Sequence, residues 1–329
     1  MLTLAIIFFV LSWMATGWYR GYALTHRILD IPNHRSAHAV PVPRGGGVVF
    51  VIGFLCVMFY DEPDQILLPM SALGIAVVGY YDDTFSLSAG KRLVYHVLFS
   101  ALALCSLSAL PEIQIGIWSL HFNIWTAILG VFYLVWMLNL YNFMDGINGI
   151  AGFEAICVAL GMAVVYGCLG LHSAMFLPSM LAAGVAGFLV WNFPKAKIFM
   201  GDVGSGFLGF LFGLWSLQSA YFNPRLFWSW LILLGVFVVD ATWTLLWRLV
   251  HKKPLHVAHA THAYQHAFRC YQSHGRVNLA VIALNVIWLW PLSLLVGLGL
   301  MNGLVGLCIA YSPLMVLAWR FRAGRSSST

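Results

Sequence analysis

The hydrophobic pattern of this chain consists of long apolar runs separated by short polar breaks. Eleven runs can be counted, of which the second and third are short, and a helix needs about 20 apolar residues to cross a membrane. The pattern therefore predicts an all-α polytopic membrane protein with about eleven transmembrane helices, in one integral membrane domain over residues 1–329. The runs cover residues 2–19, 45–60, 66–81, 93–110, 124–141, 150–170, 174–191, 205–222, 227–247, 278–299 and 303–319.

The composition supports this prediction. Apolar residues make up 61% of the chain and charged residues only 9%, which is far from the balance of soluble domains. The six cysteines lie mostly inside apolar runs, with neither a paired framework nor metal-ligand spacing, so we expect them to be structural. A net charge of +6 could indicate a nucleic-acid partner, but the position of the basic residues argues against one.

The basic residues are concentrated on one side of the predicted membrane. The odd-numbered connections between helices, with the C-terminal tail, carry 16 of the 17 Lys and Arg residues, and the even-numbered connections carry only Arg225. The positive-inside rule then puts the N-terminus outside and the C-terminus in the cytosol. On the outer side, residues 112–123 alternate between apolar and polar, which predicts a small β-hairpin.

Five polar segments fall on the predicted cytosolic side, and the first is PNHRSAHAVPVPRGGG, residues 32–47. Basic and imidazole groups, among them His38 and Arg44, alternate here with turn formers, which suits an anionic ligand at the membrane surface. A solvated, positively charged loop explains the charges equally well. It does not explain the run of three glycines that ends the segment.

The second segment is the pair Asp82 and Asp83 at the end of the third run, followed by Lys91 and Arg92. Adjacent carboxylates repel each other, so the pair is strained at a membrane edge unless a cation or a basic group lies close. Such a pair could bind a metal or accept a proton. The alternative is a solvated helix C-terminus.

The third segment is NFMDGING, residues 142–149, between the fifth and sixth runs. Asn142, Asp145 and Asn148 are three residues apart, so they share a face if the turn is helical. An ordinary turn of Asn, Asp and Gly is the rival interpretation.

The fourth segment is KIFMGDVGSGFLG, residues 197–209, in which Asp202 lies in a glycine-rich turn just before a long apolar run. A carboxylate there can hold a divalent cation while neighbouring backbone N–H groups face a phosphate. The glycines at 201, 204 and 206 would keep side chains from crowding a nucleotide. The competing view is that Asp202 merely caps the helix that follows.

The fifth segment is the loop 248–277, which contains six of the twelve histidines. His256, His259 and His262 recur at every third position of KPLHVAHATHAYQH and could bind phosphate oxygens or a metal. A soft metal would need a cysteine or carboxylate nearby, and Cys270 is the one candidate. Anion binding is therefore favoured.

Together and in this order, the strings DIPNHRSAH, GYYDDT, NFMDGINGIAG, KIFMGDVGSGFLG and KPLHVAHATHAYQH resemble the polyprenyl-phosphate N-acetylhexosamine-1-phosphate transferases, glycosyltransferase family 4. The resemblance covers nearly the whole chain. It implies transfer of a sugar 1-phosphate from a UDP-N-acetylhexosamine to undecaprenyl (polyprenyl) phosphate, with release of UMP and with Mg²⁺, for which Mn²⁺ could substitute. It also implies a multi-pass protein of the bacterial inner membrane, in contact with membrane lipid, with its active site on the cytosolic face. A homodimer is compatible with it.

The resemblance also suggests roles for single residues. Asp202 matches the magnesium-ligand aspartate of the family, and Asn142 and Asp145 match an N-x-x-D motif near the nucleotide and the metal. Asp82 and Asp83 match an aspartate pair that either binds metal or deprotonates the lipid phosphate. The remaining candidates for substrate binding are Asn148, Lys91, Arg92, His38 and Arg44.

His259 and His262 fall where the family has a histidine motif near the diphosphate, and both are candidate catalytic residues. Many members have consecutive or alternating histidines there, whereas this chain has Tyr264 and Gln265 after His262. In this it is similar to the branch that starts O-antigen chains with N-acetylfucosamine or N-acetylquinovosamine. The resemblance therefore implies a start to a lipid-linked cell-surface glycan of that kind.

A polytopic transporter is the main alternative from another functional class. It would require polar residues near the middle of the membrane, and only Glu154 and Asp240 could serve. For Asp240, pairing with Arg248 about two turns on is an equally good structural explanation. A lipid phosphatase or a CDP-alcohol transferase is a further alternative, and release of UMP separates all of these.

Overall fold

The computed structural model describes residues 1–32, 40–61, 65–107, 113–115, 118–120, 123–254 and 259–325. His38 and His256 lie outside these ranges. The helices are α1 (Leu2–Thr25), α2 (Gly47–Asp61), α3 (Leu67–Phe85), α4 (Ala89–Ser106), α5 (Ile124–Phe143), α6 (Ile150–Cys168), α7 (Phe176–Asn192), α8 (Asp202–Ser219), α9 (Arg225–Leu233), α10 (Gly235–Val250), α11 (Ala263–Tyr271), α12 (His274–Ala283), α13 (Trp290–Gly297) and α14 (Gly303–Arg320).

The prediction of a mainly helical, multi-pass membrane protein is confirmed. Each of the eleven predicted runs overlaps at least one helix. The ninth run is divided between α9 and α10, which meet at a bend of 73°. The tenth becomes α12 and α13, joined by the π-helical turn Leu284–Leu289. Five of the described helical segments are long and apolar enough to span a membrane, or six if the bent pair is one span. The count of eleven and the orientation stay predictions.

The predicted boundaries differ from the observed ones mainly at polar helix ends. The third run stops at residue 81, but α3 continues through Asp82 and Asp83 to Phe85. The eighth run starts at residue 205, but α8 already begins at Asp202. A hydropathy pattern ends a predicted helix where charged residues begin, although the helical backbone can continue through them. At the start of α8 it does so because the free backbone N–H groups find a hydrogen-bond partner in another helix.

Helix α8 lies at the centre of the molecule. Every residue from Val203 to Leu217 is buried, and the helix packs against both α3 and α5. A helix that is apolar on all sides is stable only when it is surrounded by others. In contrast, α1 packs on α7 and exposes large apolar side chains such as Leu2 and Trp18, as expected of a surface in contact with lipid.

Two small antiparallel sheets complete the fold. β1 (Leu29–Asp30) pairs with β2 (Val42–Pro43) between α1 and α2. β3 (Ile113–Ile115) pairs with β4 (Trp118–Leu120) between α4 and α5, with Gln114 opposite Ser119. The second pair confirms the predicted hairpin.

Candidate active site

The C-terminal end of α3 and the N-terminal end of α8 meet, and this contact brings the predicted carboxylates together. A Cβ atom on Gly79 would lie 2.7 Å from the backbone carbonyl of Asp202, so the two helices touch backbone to backbone here. As a result, Asp82 and Asp83 lie beside Asp202, although about 120 residues of sequence separate them.

Asp83 caps α8 from another helix. Its Oδ1 accepts a hydrogen bond from the backbone N–H of Asp202 at 3.0 Å, and its Oδ2 accepts one from Val203 at 3.1 Å. The guanidinium of Arg44 donates to the same Oδ1 through Nε at 3.0 Å and Nη2 at 2.5 Å. Only 1% of the Asp83 side chain is exposed, and both oxygens of its carboxylate accept hydrogen bonds from other residues of the protein. It therefore orders the start of α8.

Asp82 turns to the other side of the junction. Its Oδ1 accepts from the backbone N–H of Leu87 at 2.5 Å, and its Oδ2 accepts from Arg92 Nη1 at 2.7 Å. The same Nη1 donates to Asp202 Oδ2 at 3.2 Å, and the carboxylates of Asp82 and Asp202 lie within hydrogen-bonding range of each other. Arg92 thus bridges two carboxylates whose charges would otherwise repel.

Helix α5 supplies the third side of the site. Asn142 Nδ2 donates to Asp202 Oδ2 at 3.1 Å, while Asn142 Oδ1 accepts from Ser205 Oγ at 2.9 Å. The two contacts fix the orientation of the amide, since only its nitrogen can donate to the carboxylate. Ser205 is not among the residues expected from the sequence. It follows Asp202 by three residues, so helical spacing could have placed both on one face.

Asp145 lies close to this group, in the turn after α5. Burial raises the pKa of Asp145 to about 7, and the negative charge of Asp83 contributes to this rise. The site holds four carboxylates and two guanidinium groups, so its net charge is −2 when all are ionised. They belong to Asp82, Asp83, Asp145, Asp202, Arg44 and Arg92. Burial makes such an excess of negative charge unfavourable unless a cation neutralises it.

The donor set fits a hard divalent cation. Carboxylate oxygens are the ligands that Mg²⁺ prefers, and one or two of them suffice, because substrate phosphates and water complete its coordination. Within the described ranges, no three His, Cys, Asp or Glu side chains form a ready-made metal cage. With 23% of its side chain exposed, against 8% for Asp82, Asp202 is the more accessible of these two carboxylates.

The histidine segment folds next to the α5 end of the site. His262 is buried just before α11, and its ring stacks on that of His259 at a centroid distance of 5.1 Å. Tyr264, two residues later, donates its hydroxyl to the carbonyl of Phe143 at 3.1 Å. Phe143 follows Asn142 in α5, so this bond joins the histidine segment to the helix whose Asn142 donates to Asp202.

The structure separates the polar residues of the third segment. Helix α5 ends at Phe143, so Asn142, Asp145 and Asn148 do not share a helical face, and that conditional prediction does not hold. The Asn148 side chain donates to the carbonyl of Pro194 at 3.2 Å, and the backbone carbonyl of Asn148 accepts from the Asn278 side chain. Asn148 therefore ties loops together, outside the group around Asp202.

Close packing accounts for two of the glycines near Asp202, Gly201 and Gly204. A Cβ on Gly201 would run into the carboxylate of Asp83, and one on Gly47 would lie 2.6 Å from Gly204 Cα. The backbone N–H of Gly47 also donates to the carbonyl of Met200 at 2.9 Å. The glycine run before α2 is thus explained by its close approach to the start of α8, which also brings Arg44 to Asp83.

A large apolar groove lies between α3 and α4. Its volume is about 810 Å³, and its walls include Val77 and Tyr81 of α3 and Gly90, Val94 and Phe99 of α4. Lys91 also lines it, whereas the next residue, Arg92, contacts Asp82 and Asp202. The polar end of the groove therefore lies next to the carboxylates.

Comparison with known proteins agrees with this arrangement. Residues 65–220, which include the α3–α8 junction, match the model of glycosyl transferase family 4. The chain is 29% identical over 264 residues to a probable undecaprenyl-phosphate N-acetylglucosaminyl 1-phosphate transferase of Bacillus subtilis (strain 168), covering 78% of this chain and 74% of that protein. By these two matches the chain resembles glycosyl transferase family 4.

Two further relatives extend the comparison. One is a decaprenyl-phosphate N-acetylglucosaminephosphotransferase of Mycolicibacterium smegmatis, 29% identical over 64% of this chain and 58% of its own length. The other is a phospho-N-acetylmuramoyl-pentapeptide-transferase of Moorella thermoacetica, 30% identical over 58% of this chain and 65% of its own length. The match thus spans less than two thirds of either protein. By their names, both relatives are transferases.

Proposed function

We propose that this chain transfers an N-acetylhexosamine 1-phosphate from a UDP-sugar to polyprenyl phosphate and releases UMP. The observation that carries the proposal is the α3–α8 junction, where Asp82 and Asp202 share the Arg92 guanidinium at the end of an apolar groove. A charged cluster beside a long apolar groove suits a substrate with a phosphate head and a hydrocarbon tail. Undecaprenyl and decaprenyl phosphates, named in the relatives, have this form.

The positions of Lys91 and Arg92 support the placement of the acceptor. Lys91 lines the groove, and Arg92 points to the carboxylates. A prenyl chain in the groove would bring its phosphate between these two cations, which would offset the repulsion from Asp82 and Asp202. The nucleotide would then approach from the aqueous side, where the Asp202 side chain is partly exposed.

The proposed reaction is a phosphoryl-type displacement. An oxygen of the acceptor phosphate attacks the sugar-bearing phosphorus of the UDP-sugar, the bond from that phosphorus to the bridging oxygen breaks, and UMP leaves with the bond electrons. A proton on the acceptor phosphate would pass to Asp82, since Asp83 already binds two backbone N–H groups and Arg44. The main task of the protein is to position the anions and to neutralise their charge.

We further propose that Asp202 and Asp145 hold Mg²⁺, with Mn²⁺ able to substitute. The support is the excess of carboxylates over guanidinium groups at the site. When bound, the metal supplies positive charge to the diphosphate. Asn142 and Ser205 would keep the Asp202 carboxylate in one orientation, and His262 and His259 would donate hydrogen bonds to the diphosphate.

The setting that we propose is the bacterial inner membrane, with the site on the cytosolic face, where 16 of the 17 Lys and Arg residues are expected. The product would start a lipid-linked cell-surface glycan, and the residues Tyr264 and Gln265 after His262 favour lipopolysaccharide O-antigen as its destination.

The deciding experiment measures UMP. Membranes that contain the chain are incubated with undecaprenyl phosphate, Mg²⁺ and each of a panel of UDP-N-acetylhexosamines, and UMP is compared with lipid-linked sugar. We expect equal amounts of both products with at least one donor. Asp61→Asn, a charge removal at the far end of α2, serves as the control and should retain activity. A chain that formed no UMP with any donor, or moved a solute without forming it, would contradict the proposal.

A further inference from the structure

A second buried aspartate caps a helix from elsewhere in the fold. Asp240, in the middle of α10, is 6% exposed. Its Oδ1 accepts from the backbone N–H of Ala263 at 2.8 Å, and its Oδ2 accepts from that of Tyr264 at 2.9 Å. The expected partner Arg248 instead donates to the carbonyl of Pro254 at 2.6 Å, so the suggested pairing of Asp240 with Arg248 is wrong.

The two N–H groups belong to the first turn of α11, which begins directly after His262. They have no partner within the helix, and α11 is only nine residues long, so it would be marginal without an external cap. Asp240 satisfies both with one carboxylate, and the negative charge interacts favourably with the helix N-terminus. The position of His262 therefore depends on a residue of α10.

The carboxylate also lies next to the His262 ring. Oδ1 of Asp240 is 3.4 Å from Nδ1 of His262, and the side chain of this histidine is only 2% exposed. Among the described residues, Nδ1 has no hydrogen-bond partner. At 3.4 Å the pair is too long for a good N–H···O bond, but the charge of the carboxylate still acts on the ring. A carboxylate there favours a hydrogen on Nδ1. Donation from Nε2 to the diphosphate then uses the imidazolium form, which carries a hydrogen on both nitrogens.

We propose that Asp240 is a positioning residue that acts through His262, by ordering the first turn of α11 and orienting the imidazole. The assignment rests on the proposed function, because it gives His262 a role at the diphosphate. It uses the same arrangement as Asp83, which accepts from the first two N–H groups of α8 and so orders the segment that carries Asp202. Helix α8, which carries Asp202, and helix α11, which follows His262, are thus each capped at the N-terminus by an aspartate of another helix.

The first test follows the turn itself and does not depend on activity. In Asp240→Asn, one side-chain oxygen remains and can accept from one of the two backbone N–H groups. The new NH₂ group is a donor, so the other backbone N–H loses its acceptor. Hydrogen exchange of a peptide covering residues 259–271 should therefore speed up, while peptides from α3 and α8 stay protected. Glu154→Gln makes the same chemical change at a buried carboxylate bonded to Asn285, and should leave exchange in 259–271 unchanged. Equal protection in wild type and Asp240→Asn would overturn the proposal.

A second variant breaks one of the two bonds and leaves Asp240 in place. Ala263→Pro removes the N–H that Oδ1 accepts, and proline is well tolerated at the first position of a helix. The extended backbone of His262, with φ −70° and ψ 154°, is the conformation that precedes proline. This variant keeps the proposal testable if Asp240→Asn does not fold, since it should lose activity in the same way without a buried polar change.

The second test is a double-mutant cycle on UMP release. We expect His262→Ala to lower kcat/KM by about 100-fold, and Asp240→Asn by at least about tenfold. If Asp240 acts through His262, its replacement in the His262→Ala background should cost less than about twofold, whereas Glu154→Gln should cost the same factor in both backgrounds. A full, additive loss for Asp240→Asn would show that it acts elsewhere. Absence of UMP from wild type would refute the proposed function, and the exchange experiment would still decide whether Asp240 orders the turn.

Discussion

The carboxylate of Asp83 holds the backbone of Asp202, whose N–H group it accepts at 3.0 Å. Asp202 is the first residue of α8 and follows the N-cap residue Gly201, which has no side chain to cap the helix. Because Asp83 caps the helix, the Asp202 side chain is available to Arg92 and Asn142. The alternative in which Asp202 merely caps its helix does not agree with these contacts.

This relationship predicts different effects of equal substitutions in the aspartate pair. Asp83→Asn leaves buried N–H groups and Arg44 poorly paired, at a cost of about 1–3 kcal/mol, so Tm should fall together with activity. Asp82→Asn keeps an oxygen for Leu87 but removes the charge that faces Arg92, so turnover should fall far more than Tm. Tm in detergent and UMP release would be measured on both.

As a control, the amount of each variant protein inserted into the membrane is measured, and it should match that of wild type for both variants. Equal, mild losses of turnover with unchanged Tm would instead indicate that Asp82 and Asp83 only form a solvated helix C-terminus.

Replacement of Asp202 tests the metal assignment. Asp202→Asn keeps the shape and one oxygen but removes the charge, and we expect turnover to fall by on the order of 100-fold or more. Tm should stay near that of wild type, because the cap of α8 is provided by Asp83. UMP release would be followed across a titration of Mg²⁺, with Asp61→Asn as the matched carboxylate control. Near-normal activity at ordinary Mg²⁺ would rule out Asp202 as a metal ligand.

The groove between α3 and α4 can be tested by filling it. Gly90 lines the groove and has no atom within 4 Å of where a Cβ would stand, so Gly90→Leu should fold and occupy part of the space. We expect a higher KM for polyprenyl phosphate and an unchanged KM for the UDP-sugar, from steady-state UMP release. Gly21→Leu, at an equally open position of α1, is the control and should change neither. A shift confined to the KM of the UDP-sugar would assign the groove to the other substrate.

The orientation predicted from the charge split can be tested by labelling single cysteines in a cysteine-free background. An impermeant reagent added outside should label a cysteine at Asn223 but not one at Ser86 or Ser273. Ser86 directly follows α3, close to Asp82 and Asp83, so its side of the membrane is also that of the site. Labelling at Ser86 or Ser273 from outside would contradict a cytosolic active site.

Much of this site could be predicted from the sequence. Asp82, Asp202, Asn142 and Arg92 were all expected, because charged and amide groups at the ends of apolar runs have few structural explanations. The roles of Asn148 and Asp240 could not be predicted. Asn148 bonds to Pro194 and Asp240 to the turn after His262, and both partners are distant in sequence.

The sequence by itself determined that the chain is a helical membrane protein with its polar segments in a fixed order. The information for this is local, since burial of apolar side chains and backbone hydrogen bonds within a helix depend on neighbours a few residues away. Only the tertiary structure decided that Asp83 orders α8 while Asp82 faces Arg92. Adjacent residues of one helix point in different directions, and which partner each meets depends on how α3 packs against a helix that starts 119 residues later.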